Sequence, residues 1–156
     1  MEKRNVLFVM SSLRNGGAER SLVNLLQLLD YDRYNVDLLL FQNEGMFLKQ
    51  VPKAVNIISN CNKLYTLYDN NKAEALKHPY LSAVHMIGTF ISRKKTNSVA
   101  KSRQYRWEHF YKKIVPELTK EYDVAIAYMQ REQTYFLVDK VKAAKKITWV
   151  HSEYSK

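Results

Sequence analysis

The chain has 156 residues, 46% of them hydrophobic, with four Gly and three Pro, which suits one folded domain with a real core and excludes extended disorder. Lys and Arg number 25 against 15 Asp and Glu, a net charge of +10, so an anionic partner such as membrane lipid, nucleic acid or a phosphorylated substrate is expected. The one cysteine, Cys61, excludes an internal disulfide, and no apolar run has the length needed to cross a bilayer.

The charged residues 1–5 lead straight into a strand pattern and do not read as a signal peptide, so a cytoplasmic location is expected. Residues 6–10 (VLFVM) are an unbroken apolar run of strand length. A polar turn over 11–15 follows, then Gly16-Gly17, then a helix whose Leu22, Leu25, Leu26 and Leu29 fall at i, i+3, i+4 and i+7. With Gly16 as N-cap, Glu19 takes the N3 position, from which its carboxylate can reach back to the cap. A second strand is read at 36–41 (VDLLLF), Gly45 interrupts the pattern, and a short third strand follows Pro52 at 55–58. Between about residues 60 and 120 no strand is read. Helical stretches stand there instead, at 79–93 with Pro79 at its start and at 102–117 with Pro116 kinking or ending it. A fourth strand at 124–129, a helix with Leu137, Val138 and Val141 on one face, and a fifth strand at 146–150 (KITWV) complete the chain.

Strands apolar on both faces belong in a parallel sheet covered by helices, so the fold class is α/β. Right-handed crossovers place the strands in the order 3-2-1-4-5, with a helical insertion between strands three and four. The switch point then falls between strands one and four, and ligands bind beyond the carboxyl ends of the strands around it. The loops there carry Gly16 and Gly17, then Gln130 and Arg131, then His151, Ser152 and Glu153. Glycines let a ligand approach the backbone, and the helix N-terminus that follows favours an anion. A histidine just past a buried strand's end serves as readily for structure as for ligand contact or proton transfer.

The positive charge is unevenly spread. Residues 93–113 hold Arg93, Lys94, Lys95, Lys101, Arg103, Arg106, Lys112 and Lys113 against Glu108 alone, interleaved with Tyr105, Trp107, Phe110 and Tyr111. Near an anionic leaflet each basic side chain contributes about 1 kcal/mol, so Arg93, Lys94, Lys95, Lys101 and Arg103 are candidate membrane contacts. The plainer alternative is a solvated basic helix face whose aromatics pack inward. Other chemistries fall away. There is no GxxxxGK[ST] loop, Gly16-Gly17 does not complete GxGxxG, and His151-Ser152-Glu153 lacks the PCxxC partner of a zinc deaminase. A basic nucleic-acid-binding module remains as an alternative class, although no recognised nucleic-acid motif accompanies the charge.

Two segments resemble the GT-B glycosyltransferases, in particular the retaining enzymes of glycosyltransferase family four. One is the first strand and helix with Gly16-Gly17-Ala18-Glu19-Arg20 between them; the other is Trp149-Val150-His151-Ser152-Glu153 at the end of strand five. The resemblance implies that residues 1–156 are the N-terminal, acceptor-side Rossmann-like domain. The C-terminal domain that binds the nucleotide-sugar and carries an E-x7-E-like motif would lie outside this chain. By the same likeness, a sugar passes with retention from a nucleotide-sugar donor to a glycan or lipid-linked acceptor, in bacterial cell-surface polysaccharide synthesis at the inner face of the membrane. His151 would then be the catalytic residue, and Gly16, Gly17, Gln130, Arg131, Ser152 and Glu153 would contact substrate. No metal or other cofactor is expected, because helix N-termini and basic side chains stabilise the leaving diphosphate. A sugar-nucleotide epimerase shares the architecture and is the alternative enzyme.

Overall fold

A computed structural model describes residues 2–58, 67 and 77–151; Cys61, Ser152 and Glu153 lie outside the described residues. The chain divides into two compact units, residues 1–60 with 117–156 and residues 61–116. The first unit is the sheet. Its elements are β1 (Arg4–Met10), α1 (Gly17–Leu28), β2 (Tyr34–Leu40), a short 3-10 turn (Leu48–Gln50), β3 (Asn56–Ile58), β4 (Glu121–Ala127), α4 (Glu132–Lys140) and β5 (Lys142–Thr148). The second unit holds α2 (Pro79–Lys95), α3 (Val99–Arg106) and one π-helical turn (Trp107–Tyr111) that continues from it.

All five strands are parallel and stand in the order β3-β2-β1-β4-β5, with the helical insertion between β3 and β4, as the apolar runs and crossover handedness predict. β1 is central: Phe8 lies between Leu38 of β2 and Ile126 of β4. Side chains alternate across the sheet. Phe8, Met10, Val36, Leu38 and Leu40 meet Leu22, Val23 and Leu26 of α1 in one continuous core. Leu7, Val9 and Leu39, on the alternate positions, are fully buried as well. Phe136 of α4 meets Phe41 edge to face at 5.7 Å. Burial on both faces is why β1 reads as an unbroken apolar run and β2 as one broken only at Asp37.

Several boundaries differ from the sequence reading: β2 runs from Tyr34 to Leu40 and β4 from Glu121 to Ala127, and larger shifts affect β5 and the insertion. β5 begins at Lys142 rather than at 146, because Lys142, Lys145 and Lys146 on an exposed edge strand give no hydrophobic signal. Trp149 and Val150 fall after its end. Residues 102–117 are not one helix: α3 stops at Arg106, the π turn follows, and Pro116 stands beyond both. Val138, read as part of the apolar face of α4, points to solvent, while Leu137 and Val141 are buried. At the start of α1, Gly16 is the N-cap and Glu19 stands at N3 with its carboxylate over the cap.

One buried polar group interrupts β2. Asp37 is 3% exposed and accepts hydrogen bonds from Tyr122 Oη at 2.7 Å, Lys120 Nζ at 2.9 Å and Asn56 Nδ2 at 3.0 Å. Burial alone pushes its carboxyl up, but these donors and the Lys120 charge outweigh burial and hold it below the usual carboxylate value. Burial and the adjacent carboxylate push the Tyr122 phenol up, so it stays a donor. A carboxyl depressed on folding stabilises above its unfolded value near pH 4, and that contribution is lost as the pH falls through the folded value. Asp37→Asn is therefore expected to cost about 1–3 kcal/mol at neutral pH and to flatten the acid limb of the stability curve. Denaturant melts at pH 7 and pH 3 check it; an unchanged acid limb would assign the acid sensitivity elsewhere.

Candidate functional site at the carboxyl edge of the sheet

Three loops leave the carboxyl edge beside the switch point, and the sheet ladder runs on into each. Past β1, Ser11 C=O accepts from Gln42 N–H at 2.7 Å. Past β4, Tyr128 N–H donates to Val9 C=O at 2.9 Å, and past β5, Trp149 N–H donates to Ala127 C=O at 2.8 Å. The first residues of the loops are thus fixed by backbone pairing.

The loop after β1 is polar in sequence, yet it is anchored. Leu13 is fully buried, its N–H donates to Glu44 C=O at 2.9 Å, and its C=O accepts from Phe47 N–H at 3.1 Å. Arg14 Nε donates to Glu44 Oε1 at 2.6 Å. Gly45 makes this possible. Its φ is +130°, and a β-carbon on it would overlap the main chain of Leu13. The loop so held delivers Gly16 and Gly17 to the start of α1. A β-carbon on Gly16 would meet only the flexible end of Glu19, and one on Gly17 would meet nothing within 4 Å. The backbone at Gly17 therefore faces open space.

Tyr128, directly after β4, is the hub. Its hydroxyl lies 3.0 Å from Ser21 Oγ on α1, and its ring centroid lies 5.2 Å from Trp149 and 5.1 Å from His151. The Trp149 and His151 rings are 6.3 Å apart and within 12° of parallel. Tyr128 is buried, whereas His151 is exposed and Trp149 is 47% exposed. The three rings make a shelf with an aromatic body and one imidazole edge.

Gln133 of α4 is buried and ties the loops together. With its amide oriented to satisfy both neighbours, it donates to Gln130 C=O at 3.0 Å and accepts from Ser11 N–H at 3.3 Å. Gln130 Oε1 in turn accepts from His151 N–H at 3.4 Å. One chain of hydrogen bonds therefore links the loops after β1, β4 and β5. Arg131, the exposed N-cap of α4, has φ +87° and ψ −124°. A non-glycine residue held there stores about 1–3 kcal/mol of strain, of the kind that gathers at functional sites.

Of the residues expected at the site, Gln130, Arg131 and His151 come together here, and the glycine-bearing loop joins them through Ser11, while Ser21 of α1 reaches Tyr128. The sequence reading did not single out Ser21, Tyr128 or Gln133. Tyr128 is findable in principle as the first residue past a buried strand at the switch point; Gln133 carries no such signal. A concavity of about 540 Å³ lies at the opposite, amino edge, lined by residues such as Asn5, Tyr122 and Lys142, and shares no residue with the shelf.

In the helical unit, Arg93, Lys94 and Lys95 are exposed in the last turn of α2, Lys101 is exposed on α3 and Arg103 is half-buried there. Trp107 and Tyr111 are each 1% exposed, so the interleaved aromatics of this stretch largely pack inward. No protein-family model, curated protein or solved structure matches the chain.

Proposed function

We propose that this chain is the acceptor-side domain of a retaining glycosyltransferase, which transfers a sugar from a nucleotide-sugar to a glycan or lipid-linked acceptor. The observation that carries the reading is the ring shelf of Tyr128, Trp149 and His151 at the ligand edge of a parallel sheet, joined through Ser21 to the helix that follows the glycine pair. Aromatic faces suit the C–H faces of a pyranose, and an exposed imidazole can hydrogen-bond its hydroxyls. Gln130 and Arg131 contact the acceptor from the loop after β4, and Ser152 and Glu153, next to His151 in the sequence, are further acceptor contacts on this reading. Gly16 and Gly17 make room for the donor phosphates or the acceptor, and the N-terminus of α1 favours negative charge there. In the reaction, the bond from the anomeric carbon to the diphosphate breaks and one to the acceptor oxygen forms on the same face, as the hydroxyl proton passes to the departing diphosphate oxygen. His151 positions the reacting groups, and helix N-termini with basic side chains, rather than a metal, stabilise the diphosphate.

A titration of the chain with methyl glycosides and short oligosaccharides tests this reading. Saccharide-dependent quenching of Trp149 fluorescence, lost in His151→Ala, is the expected result. Nucleotide-sugars alone should be left intact, because transfer needs donor and acceptor held together. Epimerisation of a nucleotide-sugar by the chain, or oligonucleotide binding in place of saccharide binding, would overturn it.

A further inference from the structure

The outer face of α2 is apolar where a helix of a water-soluble unit is normally polar. Its inner face carries Leu81, His85, Gly88 and Ser92. Ser92 is fully buried and accepts from Ser102 Oγ at 2.8 Å, and His85 Nδ1 lies 2.7 Å from Leu67 O and 3.0 Å from Tyr111 Oη. A β-carbon on Gly88 would touch the Phe110 ring at 3.4 Å, so small residues here let the helix pack closely. Tyr80, Met86, Ile87 and Phe90 point outward instead, at 68, 70, 54 and 62% exposure. Positions 80, 83, 87, 90 and 94 form one stripe at helical spacing, with Met86 beside it. Apart from Leu81, the inner face is small or polar while large hydrophobes stand outside, the reverse of the ordinary order. Lys94 ends the stripe, with Nζ 4.5 Å above the Phe90 ring.

Charge tells which occupant fits. Residues 77–107 contain seven Lys and Arg and no Asp or Glu. Arg93, Lys94 and Lys95 sit at the end of the apolar stripe, and Lys101 follows on α3. We propose that the outer face of α2 is an interfacial docking surface for an anionic lipid bilayer. Tyr80, Met86, Ile87 and Phe90 enter the boundary between headgroups and acyl chains, and the lysines and arginines hold the headgroup phosphates. Lys94 lies along Phe90 with its ammonium directed to the headgroups, the usual posture of a basic side chain beside buried apolar surface. A second copy of the chain would bring the same positive charge to the face and be repelled. Nucleic acid would meet the cations but leave Met86 and Ile87 without a partner. Among the described residues no helix is long and apolar enough to cross a membrane, so the contact lies in the interface plane. The surface belongs to the helical unit and is independent of the reaction proposed above.

Sedimentation of the full chain with vesicles tests the proposal. Phosphatidylcholine vesicles in which one lipid in three is phosphatidylglycerol should bind it, pure phosphatidylcholine far less, and binding should weaken as salt rises. The pair Ile87→Ser with Phe90→Ser keeps the charge and should weaken partitioning about tenfold. Lys94→Gln with Lys95→Gln should weaken it by about tenfold as well and flatten the salt dependence. All four positions are exposed, and circular dichroism of the variants checks that α2 persists. Phe90→Trp adds a direct readout: a blue shift of the added emission on anionic vesicles. Vesicle binding unaffected by the Ile87 and Phe90 changes, or no blue shift from Phe90→Trp, overturns the proposal. So does self-association of the wild-type chain that the same pair abolishes in the absence of lipid.

Discussion

Gly45→Ala is expected to destabilise the sheet unit by about 3 kcal/mol, a large share of the 5–15 kcal/mol typical of a domain. Two penalties combine. An L side chain at φ +130° is strained whatever the space, and here the added carbon also overlaps the main chain of Leu13. The relief available is to withdraw the loop after β1. That withdrawal breaks the pairing of Leu13 with Glu44 and Phe47 and frees the segment that delivers Gly16 and Gly17. A thermal melt should show a fall of about 10 °C. Gly17→Ala is the matched control. Its β-carbon meets open space at the first position of α1, so stability should hold or rise slightly, while any ligand that approaches that backbone should bind less well. Equal melting temperatures for the two variants would refute the anchoring role of Gly45.

On the reading proposed above, His151→Ala in a protein that pairs this domain with a donor side is expected to lower turnover about a hundredfold with little change in melting temperature. The side chain is exposed and contributes little packing, so activity and stability should separate. His151→Phe distinguishes chemistry from scaffolding. Phenylalanine keeps the ring contact with Tyr128 and the parallel stack on Trp149 but has no nitrogen to offer a sugar hydroxyl. If His151→Phe restores turnover, the imidazole serves only to brace the shelf and the catalytic assignment fails. If both variants are equally impaired, a hydrogen bond or proton at the imidazole is what the reaction uses.

The fold was legible where burial writes itself into composition. β1 and β2 are covered on both faces, so their apolar runs name them, and crossover handedness then orders the sheet. The first half of β5 was not legible, because an exposed edge strand built from Lys and Ala has neither an apolar run nor an alternation. At the candidate site, chain position located the loops and His151, since carboxyl ends at a switch point are fixed by topology. Tyr128 and Gln133 act through three-dimensional coincidence: a hydroxyl meeting Ser21 of α1, and an amide meeting Ser11 and Gln130 from a helix. Helix α2 shows a different limit. Periodicity finds an apolar stripe but not the direction in which it faces, and here the stripe carrying Ile87 and Phe90 faces out.

The place of β4 in the sheet has a consequence for how the protein is made. Asn5 and Asp123, bonded across the edges of β1 and β4, are 118 residues apart in sequence. The β3-β2-β1 half of the sheet leaves the ribosome first and can assemble from near neighbours, while one side of β1 waits for its partner. At about 5–20 residues per second, the more than one hundred residues before β4 take roughly 5 to 20 seconds to synthesise. Through that interval the apolar edge Val6, Leu7, Phe8 and Val9, which later pairs with Val124 to Ala127, is open to any other strand. Nascent chains stalled within the helical insertion should therefore be strong chaperone substrates, and release should coincide with the emergence of residues 121–127.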